Sequence, residues 1–246
     1  MMPSVRLAVS ALLTFGIAIS ASAQDTTRTR FTVGGAFIIS QPKEEFSLNV
    51  GNGYGANGTV MYHLLRSGLV NLRVDFSGAQ YGSETKTVPI SPTIGGRILV
   101  DVTTRNSVLA LSWGPEVAAP RGRIRPYANA AYSRLWFRTT SSLEGLDDSG
   151  GDFANTTNYS DGTGAWVLGT GVRIPWNSTS PVSLDFGIRY HRGGEASYLR
   201  EGSIIDQPDG SVIITPLNSR TPFLMYMFGV QVRIPHGSSS CSRFLC

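Results

Sequence analysis

Charged and strongly polar residues recur at even spacing along several short segments: Arg73 with Asp75, Asp185 with Arg189, Gln231 with Arg233, and Arg173 in a run of its own. In an extended strand, residues two or four apart stand on one face. Guanidinium and carboxylate groups gathered on a buried face must pair, because each unpaired ion costs on the order of several kcal/mol. The chemistry this pattern predicts is therefore a structural salt-bridge network, with a narrow ion path as the sharper alternative. His191, Glu195 and Ser197 also share a two-residue rhythm and supply a base, an acid and a nucleophile. Gly193-Gly194 falls among them and should interrupt the strand, so they are read as solvated rim residues with no catalytic role. His63 and His236 stand alone, without the spacing of metal ligands. Segment 139–161 carries Glu144, Asp147, Asp148, Asp152 and Asp161 without a Lys or Arg. It reads as a flexible acidic loop; its Asp-Asp-Ser-Gly-Gly-Asp run could hold Ca²⁺ but does not match the spacing of a helix-loop-helix calcium site. No metal or cofactor is expected. Cys241 and Cys246 are the two cysteines, either closing a small ring or remaining free or mixed-disulfide thiols.

These side chains need elements to hold them, and the elements read as strands. Apolar and polar residues alternate in segments 31–39, 53–63, 68–81, 105–114, 123–138, 162–174, 181–192 and 221–234. In 221–234, Leu224, Tyr226, Phe228, Val230, Val232 and Ile234 oppose Met225, Met227, Gly229, Gln231 and Arg233. In 123–138 the two faces score alike, and the facing stays open. The gaps between segments alternate long and short: 40–52, 64–67, 82–104, 115–122, 139–161, 175–180 and 193–220. Long loops on one rim and tight turns on the other, with an even number of strands, predict an all-β fold: an eight-stranded antiparallel up-and-down transmembrane β-barrel. The unbroken apolar faces turn to lipid, and the mixed faces turn inward, where eight strands leave room for little beyond side chains. Gly169, Gly171, Gly187 and Gly229 make room for larger inward neighbours. Trp113, Tyr127 and Trp176 towards the short turns, and Trp136, Trp166, Tyr190 and Tyr226 towards the long loops, fit interfacial girdles as well as plain strand propensity.

The beginning of the chain agrees with export. A positive start ending at Arg6, an apolar run over 7–19 and Ala21-Ser22-Ala23 form a signal peptide over 1–23. The expected layout is barrel over 24–236 and a short periplasmic Ser/Cys tail over 237–246. A net charge of +4 with scattered Lys and Arg gives no basis for nucleic-acid binding.

Residues 30–234 resemble the small eight-stranded outer-membrane proteins, the group of outer-membrane proteins A, X and W and the porin-family barrels around them. Two motifs carry the likeness: Gly229-x-x-Val232-x-Ile234, similar to the last-strand signal read by the barrel-assembly machinery, and Arg125-Pro126-Tyr127 opening the fifth segment. The resemblance implies a monomer of the Gram-negative outer membrane, in contact with its lipid and lipopolysaccharide, acting as a non-enzymatic structural or surface-interaction protein. A narrow channel for small solutes or ions is the alternative, and an outer-membrane lipid-modifying enzyme the outsider. Against the last, the compact His-x-Ser element of the eight-stranded lipid A deacylases is missing. The chain also continues past the final strand to Cys246, where that family usually stops.

Overall fold

Strands with two unlike faces leave backbone donors and acceptors on both edges, and only closure satisfies them all away from water. A computed structural model describes residues 29–89, 99–144, 152–177, 180–207 and 211–235. It contains β1 (Thr29–Pro42), α1 (Glu44–Asn49), β2 (Gly53–His63), β3 (Val70–Pro89), β4 (Leu99–Ala118), β5 (Arg125–Glu144), β6 (Asp152–Pro175) and β7 (Val182–Gly193). Four short strands follow, β8 (Glu195–Tyr198), β9 (Ile204–Asp206), β10 (Val212–Ile214) and β11 (Leu217–Arg220), before β12 (Phe223–Pro235). β1 to β7 and β12 close one antiparallel barrel in which β12 pairs with both β7 and β1. The eight-stranded up-and-down fold predicted from the alternation is the one observed.

The two rims differ. At the terminal rim lie both ends of the described chain, the turns at 64–69 and 119–124, and the ends of β6 and β7. Gly68 and Gly122 adopt φ of 74° and 118° there, backbone that favours glycine. At the loop rim the strands are longer than the sequence pattern suggested. β3 and β4 run through 82–89 and 99–104, and β5 and β6 through 139–144 and 152–161, all read as loop. These extensions are rich in Thr and Ser and have no apolar face, so hydrophobic alternation could not reveal them. Gap 40–52 contains α1, and gap 193–220 folds as two hairpins, β8 with β11 and β9 with β10. The signal segment, His236, the Cys241–Cys246 tail, Asp147 and Asp148 lie outside the described residues.

The wall presents apolar side chains outward: Phe37, Phe76 and Leu168 are 51%, 56% and 66% exposed. Such a band surrounding a closed sheet suits lipid rather than water. For β5 the facing is now defined. Tyr127, Asn129, Ala131, Ser133, Leu135 and Phe137 are buried in the lumen, and Tyr132 and Trp136 lie on the outer face.

Candidate functional site: the filled lumen

The lumen holds two chemically distinct layers. Nearer the terminal rim, inward positions of β3, β4, β6 and β7 bring together Arg73, Asp75, Glu116, Arg173, Asp185 and Arg189, all buried. Arg73 Nε donates to Asp75 Oδ2 (2.9 Å) and its Nη1 to Glu116 Oε2 (2.9 Å). Arg173 Nη2 also donates to Glu116 Oε2, and Arg189 Nη1 pairs with Asp75 Oδ2 at 2.9 Å. Each of these two carboxylates therefore bridges two arginines. Asn71 Nδ2 adds a third bond to Glu116 (3.1 Å), and Thr59 Oγ1 donates to Asp75 (2.6 Å). Asp185 takes its hydrogen bond from Gln231 Nε2. Three guanidinium groups face three carboxylates, which is what a desolvated cluster requires.

The structure places Tyr127 in this layer, not in the interfacial girdle. Its ring lies beneath Arg173, whose guanidinium carbon is 4.1 Å from the ring centre. A side chain at Gly171 or Gly187 would collide with the Tyr127 hydroxyl, so these glycines create the space for the ring. Arg-Pro-Tyr at 125–127 looked like a strand opening at the membrane surface; an inward phase one residue later carries the ring inside.

Asp185, a predicted member of this network, takes neither Arg173 nor Arg233 as its partner. It does lie opposite Arg173 in register, but the Arg173 guanidinium turns to Glu116. Arg233 is only partly buried near the terminal rim and has no ion-pair partner among the described residues. Glu116 was missed because Pro115 reads as a strand end. The ladder to β5 does lapse at Gly114 and Pro115, then resumes with Glu116 opposite Asn129. The readable clue was alternation: Trp113 and Val117 face out, which leaves Glu116 facing in.

Nearer the loop rim the filling is apolar. Phe46 of α1 dips into the mouth and meets Tyr81, Phe137 and Tyr198 edge-on, with ring centres 6.1, 5.7 and 5.1 Å away. Ile38, Leu135, Phe223, Met225 and Met227 pack in the same buried cluster. Lys43 N donates to Pro222 O (2.9 Å), and Asn49 Nδ2 to Tyr198 Oη (3.2 Å), tying α1 to the segment that re-enters from β8–β11.

The candidate triad does not assemble. His191 is buried with its ring stacked on Phe223 (4.4 Å, 10°), Glu195 is exposed, and Ser197 N donates to Asp161 Oδ2 (2.7 Å). Asp161 thereby belongs to β6 and helps position β8, instead of floating in an acidic loop. His63 bonds Thr32 Oγ1 and Asn71 Oδ1. Among the described residues no group of His, Cys, Asp and Glu is arranged to hold a metal ion.

Comparison with known proteins bears on the fold. Residues 9–209 match the outer membrane protein beta-barrel domain. The chain is similar in structure to Neisserial surface protein A, with 14% identity and a TM-score of 0.50 over 84% of this chain and 98% of that one. It is also similar to the outer membrane protein OprG from Pseudomonas aeruginosa, with 14% identity and a TM-score of 0.44 over 86% and 100%. At such identity the likeness concerns fold alone. No curated protein matches the sequence.

Proposed function

The chain belongs to the outer membrane protein beta-barrel family, and on that premise we propose that it is a non-enzymatic barrel, exported by its leader, that serves as a structural and surface-interaction protein. The terminal rim faces the periplasm and the loop rim the exterior. The observation that carries this reading is the two-layer filling: a charge-paired layer followed by an aromatic stopper fills the lumen with side chains at two levels. What remains to act outside is the loop rim. There β3 to β6 rise roughly 30 Å of strand beyond the length a membrane crossing needs. Between their inner face and the β9–β10 hairpin lies a cleft of about 280 Å³, lined by Glu84, Lys86, Thr104, Asn158, Ile204 and Ile214 among others.

The test is conductance of the purified barrel in planar bilayers. A quiet bilayer is expected, and discrete, reproducible steps would overturn the plugged reading. A narrow path for small solutes is the second reading. Buried polar atoms without a protein partner favour it: Asn57 Oδ1, Asn129 Oδ1, Asp185 Oδ1, Arg189 Nη2 and both His191 nitrogens. Such atoms are commonly satisfied by internal water.

A further inference from the structure

Two register shifts near the loop rim re-aim side chains, as β-bulges do. In β3 the pairing with β4 slips between Gln80 and Gly82. Before the slip the inward residues are odd-numbered, Asp75, Ser77 and Ala79, all buried. After it they are even-numbered, so Glu84 and Lys86 turn inward while Ser83 and Thr85 are exposed. In β6 the pairing with β5 slips between Thr139 and Thr140, and the extra residue, Asn158, points inward. Glu84 stands opposite Thr104, and Thr104 opposite Ser141. With Asn158 they form one polar row across four strands, roughly 14 Å long at the usual strand spacing. Asn158 Nδ2 donates to Ser141 Oγ (2.6 Å), and the Ser141 and Thr104 hydroxyls share one hydrogen bond of 2.7 Å. Whichever of the two donates, the hydrogen of the other is left over. Asn158 Oδ1 also has no partner among the described residues.

Over this row hangs the β9–β10 hairpin with an apolar underside, Ile204, Val212 and Ile214. A strap over 199–204 holds it there, running along the edge of β3 beyond Gln80, where pairing with β2 has ended. Tyr81 Oη donates to Leu199 O (3.3 Å) and Ser83 N to Glu201 Oε1 (3.1 Å). Gly202 N donates to Glu84 Oε2 (2.9 Å) and Lys86 Nζ to Ile204 O (3.1 Å). An apolar roof does not close dry on a polar floor, because the floor would lose water without gaining partners. The space between them, about 280 Å³, is at the small end of ligand sites. Its complement is amphipathic and rich in hydroxyls. It is also neutral, since Lys86 and Glu84 already offset each other across 3.4 Å. A long acyl chain would strand the floor, and an ion would meet no net charge. We propose that the cleft binds a neutral sugar ring of the 6-deoxyhexose class, as displayed on surface glycans. Its hydroxyls bond Asn158, Ser141 and Thr104, and its methyl group and C–H face lie against Val212 and Ile214. The inference deepens the surface-interaction reading and rests on it.

The experiment titrates the purified full-length barrel by NMR, in a detergent without a sugar headgroup. The probes are L-fucose against L-galactose and L-rhamnose against L-mannose, pairs that differ only in a methyl for a hydroxymethyl group. In at least one pair the deoxy sugar should bind about tenfold tighter, the scale of one small group in an apolar contact. Asn158→Ala should weaken both sugars of that pair about fivefold, the scale of one neutral hydrogen bond. Val212→Ser with Ile214→Ser should instead erase the preference between them. Should hydrogen exchange show that this double variant has lost the hairpin, Ile214→Ala carries the test and must shrink the preference. Equal binding within both pairs, no saturable binding, or parental affinity in Asn158→Ala overturns the site, as does tighter binding of hexanoate. Glycan fragments from the producing cell and from a foreign surface are the last probes. Either one binding tighter than the free ring supports the site and names its source. Labelling of Thr87→Cys, at an exposed position of β3, by a membrane-impermeant maleimide in intact cells tests the premise separately. Label no higher than in the parent sinks the exterior assignment; sugar failure with labelling intact sinks only the site.

Discussion

The two layers of the lumen fill the same cylinder by opposite means. The charged layer depends on residues from strands scattered around the wall, so removing one carboxylate strands ions that belong to other strands. The aromatic layer is centred on one residue of a short helix in a loop, so removing it opens the mouth and leaves the wall standing. Charge makes the closed barrel cooperative; the stopper is an attachment to it.

Four substitutions test that contrast, in descending order of effect. Glu116→Ala leaves Arg73 and Arg173 without their shared anion, at a cost of about 3–5 kcal/mol for a dry pair. It should lower the unfolding midpoint in detergent more than any other change in the lumen. Asp185→Ala should lose less, because its partner is the neutral Gln231 amide. If the two midpoints fall together, the bridging role assigned to Glu116 is wrong. Phe46→Ala removes a buried ring worth about 3 kcal/mol at the low end of such changes. That energy should appear locally, as about 100-fold faster hydrogen exchange around 43–50, with a midpoint shift smaller than that of Glu116→Ala. A global loss as large as that of Glu116→Ala would make the stopper part of the wall. Tyr127→Phe keeps the ring under Arg173 and deletes a hydroxyl that has no protein partner. Its midpoint should move by less than about 1 kcal/mol equivalent; a large drop would reveal an unseen bond to that hydroxyl.

The barrel was legible because lipid-facing strands must alternate, and the facing of β3, β6, β7 and β12 follows residue by residue. Legibility ended wherever lipid no longer acts. The Thr- and Ser-rich extensions of β3 to β6 stand clear of the apolar band and hide no apolar face, so nothing in their composition separates strand from loop. The aromatic layer was invisible for a different reason. Its parts, Phe46, Tyr81, Phe137 and Tyr198, come from four elements, and only the docking of α1 and β8 into the mouth brings them together. In the charged layer the participants Arg73, Asp75, Arg173 and Arg189 could be picked by face. Who pairs with whom depends on where long side chains swing across the lumen, and spacing along one strand does not encode that.

Charge is also distributed unevenly along the chain. Inward on the β3–β4 hairpin are Arg73, Asp75 and Glu116; inward on β6–β7 are Arg173, Asp185 and Arg189. The first hairpin has an excess of anion, the second an excess of cation, and neither can enter an apolar medium balanced on its own. The order of assembly inherits that constraint. A sheet that inserts with its edges still apart carries opposite unpaired ions on its two arms, and curling the arms together cancels them. The curled sheet is thus the first state in which Arg173 and Arg189 meet Glu116 and Asp75, which biases a growing sheet against stopping short.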